Sequence, residues 1–77
     1  MKYDVVDKID FIKVKDGDCL IQLSYLDELK IVVPDIFLDA VNRAHLNLEY
    51  IKLTVLNEYL IGVCTGAWEG PEYQELN

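Results

Sequence analysis

The sequence predicts a small α+β domain of the order β-β-β-α-β-β, in which a mainly antiparallel five-stranded sheet or partly closed barrel packs on one helix. Apolar and polar residues alternate on both sides of an Asp-Gly pair at 16–17, a helical apolar stripe follows Pro34, and alternation returns from Leu48. Periods of two and of 3.6 residues are typical of strands and helices, respectively. These patterns leave the strand order open.

Length and composition predict a single soluble domain. The chain has 77 residues, a net charge of −7 and 52% hydrophobic residues. No stretch approaches the roughly 18 consecutive apolar residues of a membrane helix, and acids occupy the place of a secretory signal core. We therefore expect a cytoplasmic protein with reduced, buried thiols at Cys19 and Cys64. Residues 1–66 are expected to form the compact domain, and 67–77 an acidic, aromatic extension that is partly docked.

The Asp16-Gly17 pair predicts a two-residue hairpin, because both central positions of a type I′ turn need positive φ. Opposing Lys15 with Asp18 then brings like side chains together in the pairs Val14–Cys19 and Ile12–Ile21. Continuing that register backward turns Asp10 onto the apolar face, where an unpaired carboxylate is unfavourable. Either the strand starts near Phe11, or a bulge between residues 9 and 12 exchanges the faces.

A second reversal joins the next two strands. A three-residue loop at 26–28, or a longer loop with an odd number of residues, keeps the apolar faces together. The three-residue loop predicts the pairs Tyr25–Leu29, Leu23–Ile31 and Ile21–Val33. Pro34 ends the third strand, since it has no N–H for the ladder.

One helix is predicted after this strand. Asp35 is placed as its N-cap. Its core-facing stripe recurs at i, i+3, i+4 and i+7, namely Phe37, Ala40, Val41 and Ala44.

The segment 48–66 predicts a second hairpin around Asn57-Glu58. One face is expected to cover the helix, with Ile51, Leu53 and Val55 opposite Cys64, Gly62 and Leu60. The reverse face carries Tyr50, Lys52, Thr54 and Leu56 opposite Thr65, Val63, Ile61 and Tyr59. That reverse face is too apolar to be left in water, which predicts an interface.

The C-terminal segment predicts a docked tryptophan and a mobile end. Gly-Pro at 70–71 favours a turn, so the chain is expected to leave the sheet after Thr65 and reverse near Pro71. Trp68 is expected to pack within the chain or across a dimer, with its indole N–H bonded to a carbonyl or water. Residues 72–77 are expected to stay mobile.

The residue types of catalytic and cofactor sites lack the required spacing. His45 has no metal-binding or nucleophile motif with Cys19 or Cys64, and the paired acids near 16–18 and 27–28 are explained by turns. The four glycines form no phosphate-binding loop. We therefore expect a protein that is not an enzyme and has no cofactor and no metal.

Charge distribution predicts a protein-binding role. From Leu53 onward the chain has four acids and no base, which suits a basic partner and disfavours direct binding to nucleic acid or an anionic membrane. The expected function is a small acidic interaction module that inhibits or modulates a basic, nucleic-acid-handling protein. The alternative is a structural homo-oligomer, most simply a homodimer, whose apolar hairpin face is its own subunit interface. The candidate interface residues are Tyr50, Leu56, Tyr59, Ile61, Val63, Trp68, Glu69, Glu72, Tyr73, Glu75 and Leu76.

Overall fold

The computed structural model describes residues 1–26 and 30–76. Within these residues a seven-stranded, mostly antiparallel open sheet has the order β2-β3-β4-β6-β5-β1-β7. The strands are β1 (Lys2–Asp7), β2 (Ile9–Lys15), β3 (Asp18–Leu23), β4 (Lys30–Val32), β5 (Ile51–Leu56), β6 (Tyr59–Cys64) and β7 (Glu72–Leu76). A 3₁₀ turn, Asp35–Phe37, leads into the helix α1 (Leu38–Leu46). Strands β4 and β6 are parallel and meet at one bridge, Val32 to Tyr59.

The α+β class, the mainly antiparallel pairing and the helix packed on the sheet are confirmed, whereas the count of five strands is wrong. The additional strands are β1 and β7, and β1 lies between β5 and β7. Only Lys8 separates β1 from β2, yet the two strands lie in distant parts of the sheet. The sheet is open, with β2 and β7 as its edges.

The first hairpin has the predicted register. Lys15 opposes Asp18, and the pairs Val14–Cys19 and Ile12–Ile21 follow. Asp16 and Gly17 have φ of 53° and 84°, as a type I′ turn requires. A bulge lies between Ile9 and Phe11, which confirms the second of the two alternatives for Asp10. Asp10 is exposed.

The second hairpin is shifted by two residues from the predicted pairing. Ile21 opposes Ile31 rather than Val33. A shift of two leaves the faces unchanged, so the apolar side chains still meet. Residues 27–29 lie outside the described part of the chain, so part of the predicted loop and one member of the predicted pair Tyr25–Leu29 are not described.

The helix begins later than its sequence signal. Asp35 lies in the 3₁₀ turn and makes no side-chain capping bond, so its predicted role as N-cap is wrong. Pro34, which directly precedes Asp35, has an extended backbone. The chain then forms the tighter 3₁₀ turn first, and the α-helix begins at Leu38. Val41 and Ala44 of the predicted stripe are buried.

The hydrophobic core lies between α1 and one face of the sheet, here called the inner face. It contains Tyr3, Val5, Ile9, Ile21, Leu23, Ile31, Val33, Val41, Ala44, Ile51, Leu53, Val55 and Leu60. Every strand from β1 to β6 contributes to it, which explains how so short a chain excludes water from a continuous core.

The last hairpin contains a bulge that the sequence did not predict. Leu60 opposes Val55 as expected, but Gly62 opposes Thr54 instead of Leu53. The extra residue, Ile61, reverses the alternation beyond it. Val63 consequently packs against the core, and Cys64 is exposed. The predicted placement of Val63 on the reverse face and of Cys64 in the core is wrong.

The C-terminal segment ends in the sheet. Residues 72–76 form β7, which pairs with β1 from Val6–Glu72 to Lys2–Leu76. The expected mobile segment is therefore an edge strand as far as Leu76, and Asn77 lies outside the described residues. The boundary expected at residue 66 accordingly falls before a strand that belongs to the same sheet. Gly70, with φ of 77°, precedes Pro71 where the chain returns toward β1.

Candidate interaction surface

Four apolar side chains form a continuous row on the outer face, the side of the sheet away from α1. Leu20 opposes Val32, Val32 opposes Tyr59, and Tyr59 opposes Leu56. Residues directly opposite one another in a sheet share a face and lie about 5 Å apart. We call Leu20, Val32, Tyr59 and Leu56 the outer row.

The outer row is open to solvent on the central strands. Tyr59 is 54% exposed and Leu56 is 40% exposed. Ile61 follows the buried Leu60 and is 45% exposed, which extends the apolar surface along β6. Because α1 and the core lie on the inner face, no described helix covers this surface. Such an exposed patch is typical of an interaction site.

Lysines border the outer row. Lys13 opposes Leu20 at one end, and Lys2 opposes Leu56 at the other. Lys30 lies two residues before Val32 and therefore on the same face. All three are exposed, and within residues 1–26 and 30–76 none of them forms a salt bridge.

Two carboxylates on the outer face lie beside lysines. Asp18 opposes Lys15 in the first hairpin. Asp4 accepts a hydrogen bond from the Thr54 hydroxyl at 2.6 Å, and its carboxylate lies 3.9 Å from the Lys52 ammonium. Among the described strand residues of the outer face, lysines outnumber carboxylates, although the chain as a whole is acidic.

The other end of the outer face is covered by Trp68. Its indole N–H donates to the carbonyl oxygen of Cys64 at 3.1 Å, and the Lys52 ammonium lies 5.2 Å from the ring centroid. The predicted docking of Trp68 within the chain is thus observed. Beside it lies an open groove of about 420 Å³, lined by Asp4, Val6, Lys52, Glu72, Tyr73 and Gln74.

Two tyrosines of the candidate set make contacts outside the outer row. Tyr50 stacks on Tyr25 with a centroid distance of 6.3 Å, and the Lys8 ammonium lies 5.0 Å from the Tyr50 ring. A hydrogen bond with Tyr25 is the main reason that the pKa of Tyr50 is raised. Tyr73 packs on Tyr3 at 5.2 Å, on the inner side of the β1–β7 edge.

The structure therefore brings together only part of the predicted interface. Leu56, Tyr59 and Ile61 form one surface, and Leu76 extends it on β7 by opposing Lys2. Val63 faces inward. The remaining candidate residues do not join this surface: Tyr50, Trp68, Glu69, Glu72, Tyr73 and Glu75. Glu72 opposes Val6 on the outer face, whereas Glu75 opposes Tyr3 on the inner face, so the C-terminal acids do not form one patch.

His45 has a structural role. Its Nδ1 lies 2.9 Å from the carbonyl oxygen of Ile9, and because a carbonyl only accepts, Nδ1 is the donor. The bulge after Ile9 leaves that carbonyl available for the helix to bind. In the described part of the chain, no three His, Cys, Asp or Glu side chains are grouped to hold a metal ion.

Sequence reasoning missed Leu20 and Val32, together with the lysines that border them. Alternation places Leu20 on the face opposite Cys19 and Ile21, so the signal for an outward apolar residue was present. What could not be predicted was the parallel bridge that joins β4 to β6 and aligns these side chains with Tyr59.

Comparison with known proteins gives no relative on which to base a function. No protein-family model, curated protein or solved structure matches the chain significantly. Among the described helices, none is long and apolar enough to cross a membrane.

Proposed function

We propose that this chain is a small acidic protein-interaction module with a binding rather than a catalytic role. The observation that carries the proposal is the exposed outer row, extended by Ile61, on a face that the helix leaves uncovered. A binding partner that covered this surface would remove apolar area from water at a gain of about 25 cal/mol per Å² before the costs of association.

The acidic surface supports a basic partner. Asp35 and Asp39 are exposed on the helical segment, and Glu49 is exposed just after it. These carboxylates lie away from the outer row and suit a positively charged protein, such as one that handles nucleic acid. By occupying a groove that otherwise binds phosphates, the module would inhibit or modulate that partner.

A structural homo-oligomer is the second candidate. Leu56, Tyr59 and Ile61 adjoin one another, as a two-fold subunit interface on the last hairpin requires. Light scattering over a wide concentration range tests this candidate. A constant monomer mass excludes it, whereas a dimer that Ile61→Lys dissociates supports it.

The interaction module is tested with the same variant and a matched control. Ile36 is 82% exposed in the 3₁₀ turn, on a different element from the outer row, so Ile36→Lys adds the same charge elsewhere. Ile61→Lys is expected to abolish capture of a partner from native extract, and Ile36→Lys to preserve it. Capture that neither variant changes, or that both variants abolish, would exclude the outer row as the binding surface.

The proposed basic partner of the helical side is tested by salt and by substitution on the helical segment. A basic partner is expected to dissociate more readily as salt rises, and to bind Asp35→Asn and Asp39→Asn more slowly. If neither salt nor these substitutions changes the rates of association and dissociation, the electrostatic part of the proposal is wrong.

A further inference from the structure

The outer row has a charge opposite to that of the chain around it. Three lysines with no ion-pair partner among the described residues, Lys2, Lys13 and Lys30, adjoin four apolar side chains. Asp4 lies 3.9 Å from the Lys52 ammonium, whereas Asp18 opposes Lys15 in the sheet without a described salt bridge. A binding partner that covered the outer row would place its own side chains beside these three ammonium groups, for which no ion pair is described.

From this arrangement we infer that the outer row is the docking site for an acidic protein surface, one that presents apolar side chains bordered by carboxylates. The inference rests on the proposed role of the outer row as a binding surface, and it adds the chemistry of the occupant. This occupant differs from the basic partner proposed for the helical side, so the module has two binding faces of opposite charge.

Charge complementarity favours such a partner over a second copy of this chain. Two outer rows placed face to face bring together the same lysines, and among the described strand residues of the outer face lysines outnumber carboxylates. Like charges brought together at an interface are unfavourable, whereas opposite charges at its border fix the partner and the register.

The side chains of the row favour a protein over a nucleic acid. Leu20, Val32 and Leu56 are aliphatic, and Tyr59 is the only aromatic member. Surfaces that bind single strands use several aromatic rings to stack successive bases. The net charge of −7 further opposes a phosphate backbone.

The test uses defined probes with the full-length, ¹⁵N-labelled protein. A short synthetic peptide that alternates Leu and Glu is expected to shift the amide resonances of β3, β4, β5 and β6 around the outer row. A peptide that alternates Leu and Lys, and a short oligothymidylate, are expected to leave them unchanged. Shifts produced by the oligothymidylate at these residues would overturn the inference in favour of nucleic acid.

Charge-reversal variants locate the interaction. Lys13→Glu is expected to weaken binding of the Leu-Glu peptide about fivefold, the size expected for reversing one exposed charge of a pair. Arg43→Glu makes the same change in net charge on α1 and is expected to change affinity less than about twofold, because an exposed charge at that distance is screened. Equal effects of the two variants would overturn the inference, since only overall repulsion would then be involved.

The outcomes separate this inference from the proposed function. If the Leu-Lys peptide shifts the same residues as strongly as the Leu-Glu peptide, the outer row binds proteins but the inferred charge of its occupant is wrong. If neither peptide shifts them, both the inference and the outer row as a binding surface fail. Tyr59→Ser serves as the variant that removes apolar surface from the row without changing charge.

Discussion

Asp7 accepts a hydrogen bond from the backbone N–H of Tyr25, with 3.1 Å between Oδ2 and the nitrogen. The same carboxylate accepts from the N–H groups of Leu26 at 3.1 Å and Lys8 at 2.7 Å. Asp7 is fully buried at the end of β1 on the inner face. Backbone donors that follow β3 are thereby satisfied, and the end of β1 is fixed to a segment on the other half of the sheet.

Asp7→Asn is expected to lower the free energy of unfolding by about 3 kcal/mol. The amide nitrogen of Asn cannot accept, so at least one buried donor loses its partner, and the remaining bonds lose their charge assistance. Urea denaturation measures the loss. Asp10→Asn is the matched control, because Asp10 is exposed in the bulge of β2 and no side-chain hydrogen bond is described for it. Similar losses in the two variants would contradict the role assigned to Asp7.

The sequence predicted the parts of the fold that depend on local signals. Asp16-Gly17 fixes its hairpin register because the turn geometry and the alternation agree. It did not predict β1, because Asp7 interrupts the apolar pattern and only the distant N–H groups of Tyr25 and Leu26 explain its burial. The strand after the helix was predicted within a segment that begins at Leu48, and it is observed from Ile51, but its neighbour β1 lies some fifty residues earlier in the chain.

The candidate surface was predicted in part for the same reason. Leu56 and Tyr59 lie together because a two-residue turn joins them. Val63 and Cys64 exchanged faces because no local signal marks the bulge at Ile61, apart from the neighbouring Gly62. A glycine in a strand is compatible with a bulge but does not determine one.

The two thiols are expected to react at different rates in the native protein. Cys64 is exposed, whereas Cys19 is partly buried. Burial, and then the nearby charge of Asp35, raise the pKa of Cys19, so less of it is the reactive thiolate at a given pH. With a chromogenic disulfide reagent, Cys19→Ser should retain the fast phase and Cys64→Ser only the slow one. A single rate common to both variants would contradict the exposed position of Cys64.

Stability is expected to fall above pH 10. Burial raises the pKa of Tyr3 above its ordinary value of 10.0, and the nearby Tyr73 and Glu58 add to the shift. Between these two values the unfolded chain has released a proton that the folded chain retains, so the free energy of unfolding decreases as pH rises. Below pH 10 the contribution is fully present. Tyr3→Phe should flatten this decrease in urea denaturation while leaving stability at neutral pH nearly unchanged, and an unaltered decrease would show that Tyr3 is not its source.

Glu58→Gly is expected to stabilise the protein by about 0.5 kcal/mol. Glu58 has φ of 72° at the second position of the β5–β6 turn, where a side chain is unfavourable and glycine is preferred. Relief of that strain exceeds the entropy that glycine adds to the unfolded chain. Thermal or urea denaturation measures the gain. Gly17 occupies the equivalent position of the first hairpin turn, with φ of 84°. The converse change, Gly17→Ala, should therefore destabilise the protein by about 1 kcal/mol.

Trp68 is expected to stabilise the fold as an anchor of the C-terminal segment. Trp68→Phe removes the hydrogen bond to the Cys64 carbonyl oxygen but keeps an aromatic ring, so a loss of about 1 kcal/mol is expected. Lys52→Met removes the cation over the ring and retains an apolar stem. The cation–π contact is measured with Trp68→Leu, which removes the aromatic ring: the double variant with Lys52→Met should lose less than the sum of the two single variants, by about 0.5 kcal/mol.

Fluorescence gives an independent measurement of the same anchor. Because Trp68 is the only tryptophan and is partly buried, its emission should lie to the blue of free tryptophan and acrylamide should quench it incompletely. Emission and quenching like those of the free amino acid would show that the ring is not docked. In that case the chain between β6 and β7 would be open to solvent, and the outer face would be uncovered at Lys52 as well as at Leu56 and Tyr59. The docked ring instead covers the outer face beside Lys52, and the binding variants are placed at the exposed side chains of Tyr59 and Ile61.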